Sequence, residues 1–200
     1  ASWLVWDLAG LMIRTGSWPM AGPLGAPGHW PAPATGDGLR LAPEAGEDGI
    51  ALGAVLDMHA VLNGFRDADI ERMDMRHWAE GFMYWAGGGI GACRGLEGFR
   101  AHHQIPFLDA MPDRRGMVEQ GHFFAQGDYV GFTAWPGMEM SVTGGGWLGI
   151  APSGRRITMR SLDFWRVERA LIRENWVTVD LLHAWDQLGV DVLARMRQLA

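Results

Sequence analysis

From Asp48 onward the spacing of apolar residues changes from a helical period to an alternating one. Ile50, Leu52, Val55, Leu56, His59 and Leu62 fall near helical spacing, so residues 50–65 predict a helix with Asp48 as its N-cap. Residues 82–86 predict a short aromatic strand. A second helix starts near Leu96 and ends by Pro112, with Pro106 placed to bend it. Alternation then marks strands at 118–126, 129–135, 138–142, 147–150, 156–167 and 171–179. Gly127-Asp128, the Gly144-Gly145-Gly146 run, Pro152-Ser153-Gly154 and Glu168-Arg169-Ala170 supply turns between them. Helices followed by a strand meander predict an α+β domain over 48–200, an antiparallel sheet with helices on one face, and disfavour a doubly wound parallel sheet.

The first 47 residues read differently. Pro19, Pro23, Pro27, Pro31, Pro33 and Pro43 lie among glycines, and proline fixes φ and withholds a donor. Residues 17–47 are therefore expected to be a linker or an extended arm on a surface. Before them, Trp3 to Leu8 is strand-like and an apolar stretch runs to Gly16. Trp3, Asp7, Leu8 and Gly16 match Trp176, Asp180, Leu181 and Gly189 at one constant offset. Residues 1–16 are accordingly expected to be the strand-and-helix tail of a preceding copy of the same domain. A strand in that position would pair with another chain or pack on the main domain, so a homo-oligomer, a dimer, is expected.

Composition narrows the function. Hydrophobic residues make up 48% and charged residues 20% of 200, values of an ordinary globular chain. The formal net charge is −6 without a basic stripe, which argues against a nucleic-acid partner. No long charge-free apolar run suggests a membrane span. The lone Cys93 offers no internal disulfide, so a cytoplasmic setting is the expectation. Eleven Trp and 12 Met exceed what a small core needs and suit an adaptable pocket for a flat or hydrophobic ligand. The two glycine runs, 87–89 and 144–146, lack the strand, loop, helix and Lys of a phosphate loop.

Several segments, in order, resemble the SnoaL-like polyketide cyclase family of the nuclear transport factor 2-like superfamily. They are Gly95-Leu-Glu-Gly98-Phe99, Met111-Pro112-Asp113, Ala125-Gln-Gly127-Asp128-Tyr-Val130, Pro152-Ser153-Gly154-Arg155, Arg166-Val167, Ile172-Arg-Glu174-Asn-Trp176, and Asp180 with Gln187-Leu188-Gly189. The resemblance spans residues 50–195. It implies a cone-shaped sheet wrapped around helices, with a deep apolar pocket inside. It also implies an intramolecular aldol closure without metal or cofactor, run by a carboxylate acid/base with pocket His and Gln residues. In the family the catalytic aspartate directly follows the tryptophan that matches Trp176. Here that position is Val177, and the family's strand histidine position is occupied by Asp163.

The residues themselves supply three candidate acid/base groups. Alternation places Asp163 on one face with Ser161 and Trp165; facing a cone interior, its pKa would rise, whereas outside it would be exposed on a two-sided strand or paired with Arg160 or Arg166. His103 lies on the apolar stripe with Phe99 and Phe107, as an acid/base or as a core residue. Asp180 is a candidate catalytic group and also a natural helix N-cap. Tyr84, Trp85, Phe107, His122, Trp135, Trp147, Trp165 and Trp176 are the candidate substrate-binding residues. His102 and His103 diverge on a helix and make no metal site. The function expected is binding and cofactor-free acid/base conversion of a small hydrophobic carbonyl compound. The alternatives are a non-catalytic binding or dimerising module, which Val177 favours, and an epoxide hydrolase or dehydratase on the same fold. The hydrolase wants Arg and Asp two apart on a strand; Arg160 and Asp163 are three apart.

Overall fold

A computed structural model describes residues 6–27, 31–36, 48–65 and 70–199, without the Asp48 side chain. The helices are α1 (Leu8–Arg14), α2 (Asp48–Gly64), α3 (Gly95–Phe99), α4 (Ile105–Ala110), α5 (Leu181–Gln187) and α6 (Val192–Arg197). The strands are β1 (Trp78–Ala86), β2 (Ala92–Arg94), β3 (Arg115–Gly116), β4 (Gly121–Gln126), β5 (Tyr129–Ser141), β6 (Arg156–Glu168) and β7 (Leu171–Val179). They form one seven-stranded sheet in the order β2-β1-β7-β6-β5-β3, with β4 also on β5. Every pairing is antiparallel except β1 with β7, which is parallel. The expected α+β architecture, a curved unclosed sheet around helices, is what the chain adopts.

Sequence pattern and structure differ in informative ways. The buried side of α2 is Ala51, Ala54, Val55 and Met58, whereas Ile50 and Leu56 are exposed. The first strand begins at Trp78 rather than at 82. Segments 129–135 and 138–142 are one strand, β5, whose register against β6 shifts between Ala134 and Met138. Pro136 lies in that interval and has no N–H to give to the ladder, which accounts for the break. Residues 118–120 form a 3₁₀ turn ahead of β4, and Trp147–Ile150 is a lone bridge. The turn after β6 holds Arg169 and Ala170 at φ of 52° and 59°, the geometry of a two-residue hairpin without its usual glycine.

The glycine runs serve close approach. A Cβ on Gly144 would overlap the Asp109 carbonyl at the end of α4, and one on Gly88 would overlap the backbone of Ala9 and Gly10 in α1. Through Gly88, α1 docks on the turn after β1: the Asp7 carboxylate accepts from Gly10 N–H at 2.8 Å and from Gly88 N–H at 3.0 Å. Ala9 and Met12 are buried there. The strand expected at Trp3–Leu8 falls partly on residues 1–5, outside the described residues; Trp6 and Asp7 are not in a strand. The capping role expected of Asp48 also lies outside them.

Of the Pro-rich segment, residues 37–47 and 28–30 lie outside the described residues, and parts of the rest hydrogen-bond to the sheet. Leu24, Gly25 and Ala26 hydrogen-bond to Gly89, Ile90 and Ala92, pairing the edge beyond β1. Pro31 and Ala34 lie on the outer face of β7. There the Pro31 carbonyl accepts from Trp176 Nε1 at 3.2 Å, and Ala34 N–H donates to the Glu174 carboxylate at 3.0 Å.

Candidate active site

The concave face of the sheet, with α2 and the α3–α4 segment, lines a partly open cavity of about 170 Å³. Its walls are mainly apolar, with Met58, Leu62, Phe99, Phe107, Phe132, Trp147, Met159 and Val177 among them. The polar groups on the wall include Asp163, Ser161, Tyr84, His103, His59 and Gln104.

Strand alternation builds the sheet side of this site. Ser161, Asp163 and Trp165 of β6 face inward, as do Asn175 and Val177 of β7. Asp163 sits opposite Val177 on one side and Phe132 on the other. Its carboxylate accepts from the Ser161 hydroxyl at 2.8 Å. Burial among apolar walls pushes the Asp163 pKa up to about 7, and the Ser161 bond offsets this only in part. A carboxyl titrating near neutrality can both take and return a proton.

The helix side rests on an interruption in regular winding. Between α3 and α4, residues Arg100–Gln104 form a π turn, and Pro106 follows at the start of α4. Proline cannot donate the N–H that regular winding requires, and a single widened turn accommodates the loss. In consequence His103 and Gln104, though adjacent, both reach the cavity. His103 stands in an aromatic column, its ring 4.7 Å from Tyr84, 5.1 Å from Phe99 and 5.8 Å from Phe107. The Tyr84 hydroxyl lies 3.3 Å from both ring nitrogens. Burial, helped by the nearby Arg114 charge, lowers the His103 pKa to about 4, so the ring is neutral. Burial raises the Tyr84 hydroxyl well above its usual value, and the Asp163 charge adds to this. Tyr84 is therefore a proton-bearing donor close to the carboxylate.

Sequence reasoning did not single out His59, Gln104 or Arg114. His59 packs its ring against Phe123, Phe132 and Trp165, and burial lowers its pKa to about 4. Its helical phase with Val55 and Leu62 was the available signal. Arg114 donates to the carbonyls of Leu62 and Phe65, closing the end of α2. Gln104 could be found only by anticipating the π turn.

Of the expected binding residues, Tyr84, Phe107, Trp147 and Trp165 line the cavity, as does His103. Four others lie elsewhere. Trp85 and Trp176 stack on each other at 5.3 Å on the outer face, because their neighbours Tyr84, Asn175 and Val177 take the inner positions. His122 is exposed on β4, whose alternation turns Phe123 inward instead. Trp135 is 45% exposed, with the Arg160 guanidinium 5.3 Å from its ring centre. Asp180 is also outside the cavity: it caps α5 through His183 N–H at 3.1 Å and faces Arg160 at 3.8 Å. Arg160 thus points away from Asp163, contrary to what an Arg–Asp hydrolase pair would need. Among the described residues no three His, Cys, Asp or Glu side chains converge as metal ligands, and no helix is long and apolar enough to cross a membrane.

Residues 58–188 match the SnoaL-like polyketide cyclase family. No curated protein matches the chain. Among solved structures, AclR from Streptomyces galilaeus, described as a candidate hydroxylase, is 18% identical with a TM-score of 0.54, covering 71% of this chain and 82% of its own. IdmH from Streptomyces antibioticus, described as a candidate polyketide cyclase, is 23% identical with a TM-score of 0.51, covering 68% and 98%. A SnoaL-like protein from Jannaschia sp. CCS1 is 18% identical with a TM-score of 0.54, covering 76% and 98%. At these identities the structural neighbours speak for the nuclear transport factor 2-like fold alone. The match over residues 58–188 carries the assignment further: the chain belongs to the SnoaL-like polyketide cyclase family.

Proposed function

We propose that the protein converts a small hydrophobic carbonyl compound by cofactor-free acid/base chemistry in the cavity, as an aldol-type cyclase or isomerase. The observation that carries this reading is the Asp163 carboxyl, held against apolar walls and brought up to about pKa 7. Asp163 takes the proton from the carbon next to a carbonyl. The Tyr84 hydroxyl donates to the oxygen on which the enolate charge gathers, with neutral His103 alongside it. The enolate carbon then attacks a second carbonyl of the same molecule, one carbon–carbon bond forms, and the resulting alkoxide recovers the proton from Asp163. An isomerase returns that proton to a different carbon instead.

The family resemblance supports a carboxylate moved to the neighbouring strand. Val177 and Asp163 are direct cross-strand partners, so side chains at the two positions start about 5 Å apart on the same face. A proton acceptor lost at one position can thus be replaced from the other. Asp163→Asn should lower kcat/KM by about 10²–10⁴-fold while leaving the fold intact. The rise of kcat/KM with pH near 7 should vanish with it. Asp163→Asn/Val177→Asp, which returns the carboxylate to β7, should regain part of the loss. Full activity in Asp163→Asn would overturn the assignment.

A further inference from the structure

We propose that Ser161 is a positioning residue: its hydroxyl turns the Asp163 carboxylate so that Oδ1 meets the substrate, and it sets that carboxylate's affinity for a proton. This rests on the reading of Asp163 as the base and adds the residue that orients and tunes it.

Strand geometry isolates the pair. Ser161 and Asp163 are two apart on β6 and both line the cavity. Their neighbours across the ladder are Ala134 and Val179 beside Ser161, and Phe132 and Val177 beside Asp163. None of these four side chains can hydrogen-bond. Each polar group therefore finds its partner along the strand, and the Ser161 hydroxyl donates to Asp163 Oδ2 at 2.8 Å. Among the described residues no other hydrogen-bond donor reaches this carboxylate. The carboxylate torsion of an aspartate is broad when nothing holds it. One bond to Oδ2 selects an orientation and leaves Oδ1 for a proton of the substrate.

Ser161 is itself held in place. It is 8% exposed, and its carbonyl accepts from the Thr133 hydroxyl at 3.0 Å. It pairs with Ala134, the last β5 residue before the register shift.

The same bond acts on ionisation. Burial among apolar walls disfavours the charged carboxylate, and a donor to it favours the charge. Ser161 thus works against the walls, and together they leave Asp163 at about 7. Among the described residues, the other titratable or charged groups lining the cavity are His59 on α2, Tyr84 on β1, His103 on the π turn and Arg114 after α4. The two histidines lose their protons near 4, and Tyr84 keeps its own well above its usual value. Arg114 stays a cation. From about pH 5 to about pH 9, the wall group that changes charge is therefore Asp163.

The test is an NMR titration of the full chain with carbon-13 in its aspartate carboxyls, the Asp163 signal being the one lost in Asp163→Asn. In the native chain it should titrate near 7. Ser161→Ala should raise its proton affinity about tenfold, the effect of losing one hydrogen bond to a charged group. Ser161→Thr, which keeps the hydroxyl, should restore the native midpoint. A role in packing alone would leave the midpoint in place in both variants. Deuterium exchange into acetone, the smallest ketone, reads the positioning. At about pH 9 the carboxylate is ionised in every variant, and there Ser161→Ala should exchange about tenfold more slowly than the native chain while Ser161→Thr matches it. A midpoint that stays or falls in Ser161→Ala, or exchange equal to native at that pH, overturns the proposal. Native exchange no faster than solvent alone would overturn the base reading and the positioning with it. The titration identifies that case, since the Ser161→Ala midpoint would still rise.

Discussion

Asp163 and Glu174 are carboxylates on adjoining strands of one sheet, and the two faces treat them in opposite ways. Glu174 is 4% exposed on the outer side, where it pairs with Arg166 and accepts Ala34 N–H from the arm. Asp163 faces inward, with Ser161 as its hydrogen-bond donor and, among the described residues, no ion-paired cation. A buried charge with a matched cation and a backbone donor is a structural element. One left with a single hydroxyl rises toward neutrality and becomes available for proton transfer. Burial alone therefore does not distinguish the two; the company each carboxylate keeps does.

The largest effect expected from breaking this comparison is at Glu174. Glu174→Ala leaves Arg166, 7% exposed, with only the longer contact to the half-exposed Glu168 at 3.9 Å, and should cost up to about 3–5 kcal/mol in urea unfolding, since removing the close partner strands most of a buried charge. Activity per folded molecule should hold. A cost below about 1 kcal/mol would show that the outer carboxylate is not a structural pair.

The next effect is a pH dependence of stability. The folded-state pKa of Asp163 is raised, so its protonated form contributes stability that is full below about pH 4 and lost as pH rises to about 7. His59 and His103 act in the other direction, because their folded-state values are depressed from 6.5 to about 4. Their contribution is present above 6.5 and lost as pH falls toward 4. The native chain shows the sum, and comparison with Asp163→Asn isolates the carboxyl. Between pH 4 and 7 the variant should gain on the native chain by up to about 4 kcal/mol. A difference that does not change with pH would place the native titration near its ordinary value.

Much of this organisation is legible in the chain, and the remainder is hidden for definite reasons. Alternation in β6 puts Asp163 with Ser161 and Trp165, because a strand's two faces follow from period two alone. The same rule, applied to β7, puts Trp176 outward once Val177 is inward. Reading aromatic residues as lining by type rather than by parity misplaced Trp85, Trp135 and Trp176. His122 went astray in the same way, since Phe123 holds the inward phase of β4. Gln104 was hidden because a π turn resets helical phase. The β5 register shift likewise depends on which ladder donor Pro136 removes. Neither is set by hydrophobic pattern.

The smallest effect, and the one that separates a cap from a catalyst, concerns Asp180. The side chain accepts His183 N–H at the start of α5, and Asp7 does the same for Gly10 in α1. Both helices have seven residues, and each is followed by a glycine of positive φ, Gly189 at 81° and Gly16 at 72°. The proposal that residues 1–16 derive from a preceding copy draws its support from this shared plan. An N-cap contributes about 1 kcal/mol, so Asp180→Ala should lower stability by that amount while Asp180→Ser, which keeps an acceptor oxygen, recovers most of it. Turnover should be unchanged in both, because Asp180 faces Arg160 outside the cavity. Asp7→Ala should raise amide exchange within α1, since it also releases Gly88 N–H, and leave α5 as it was. A hundredfold loss of kcat in Asp180→Ser at native stability would return Asp180 to the chemistry and displace the cap reading.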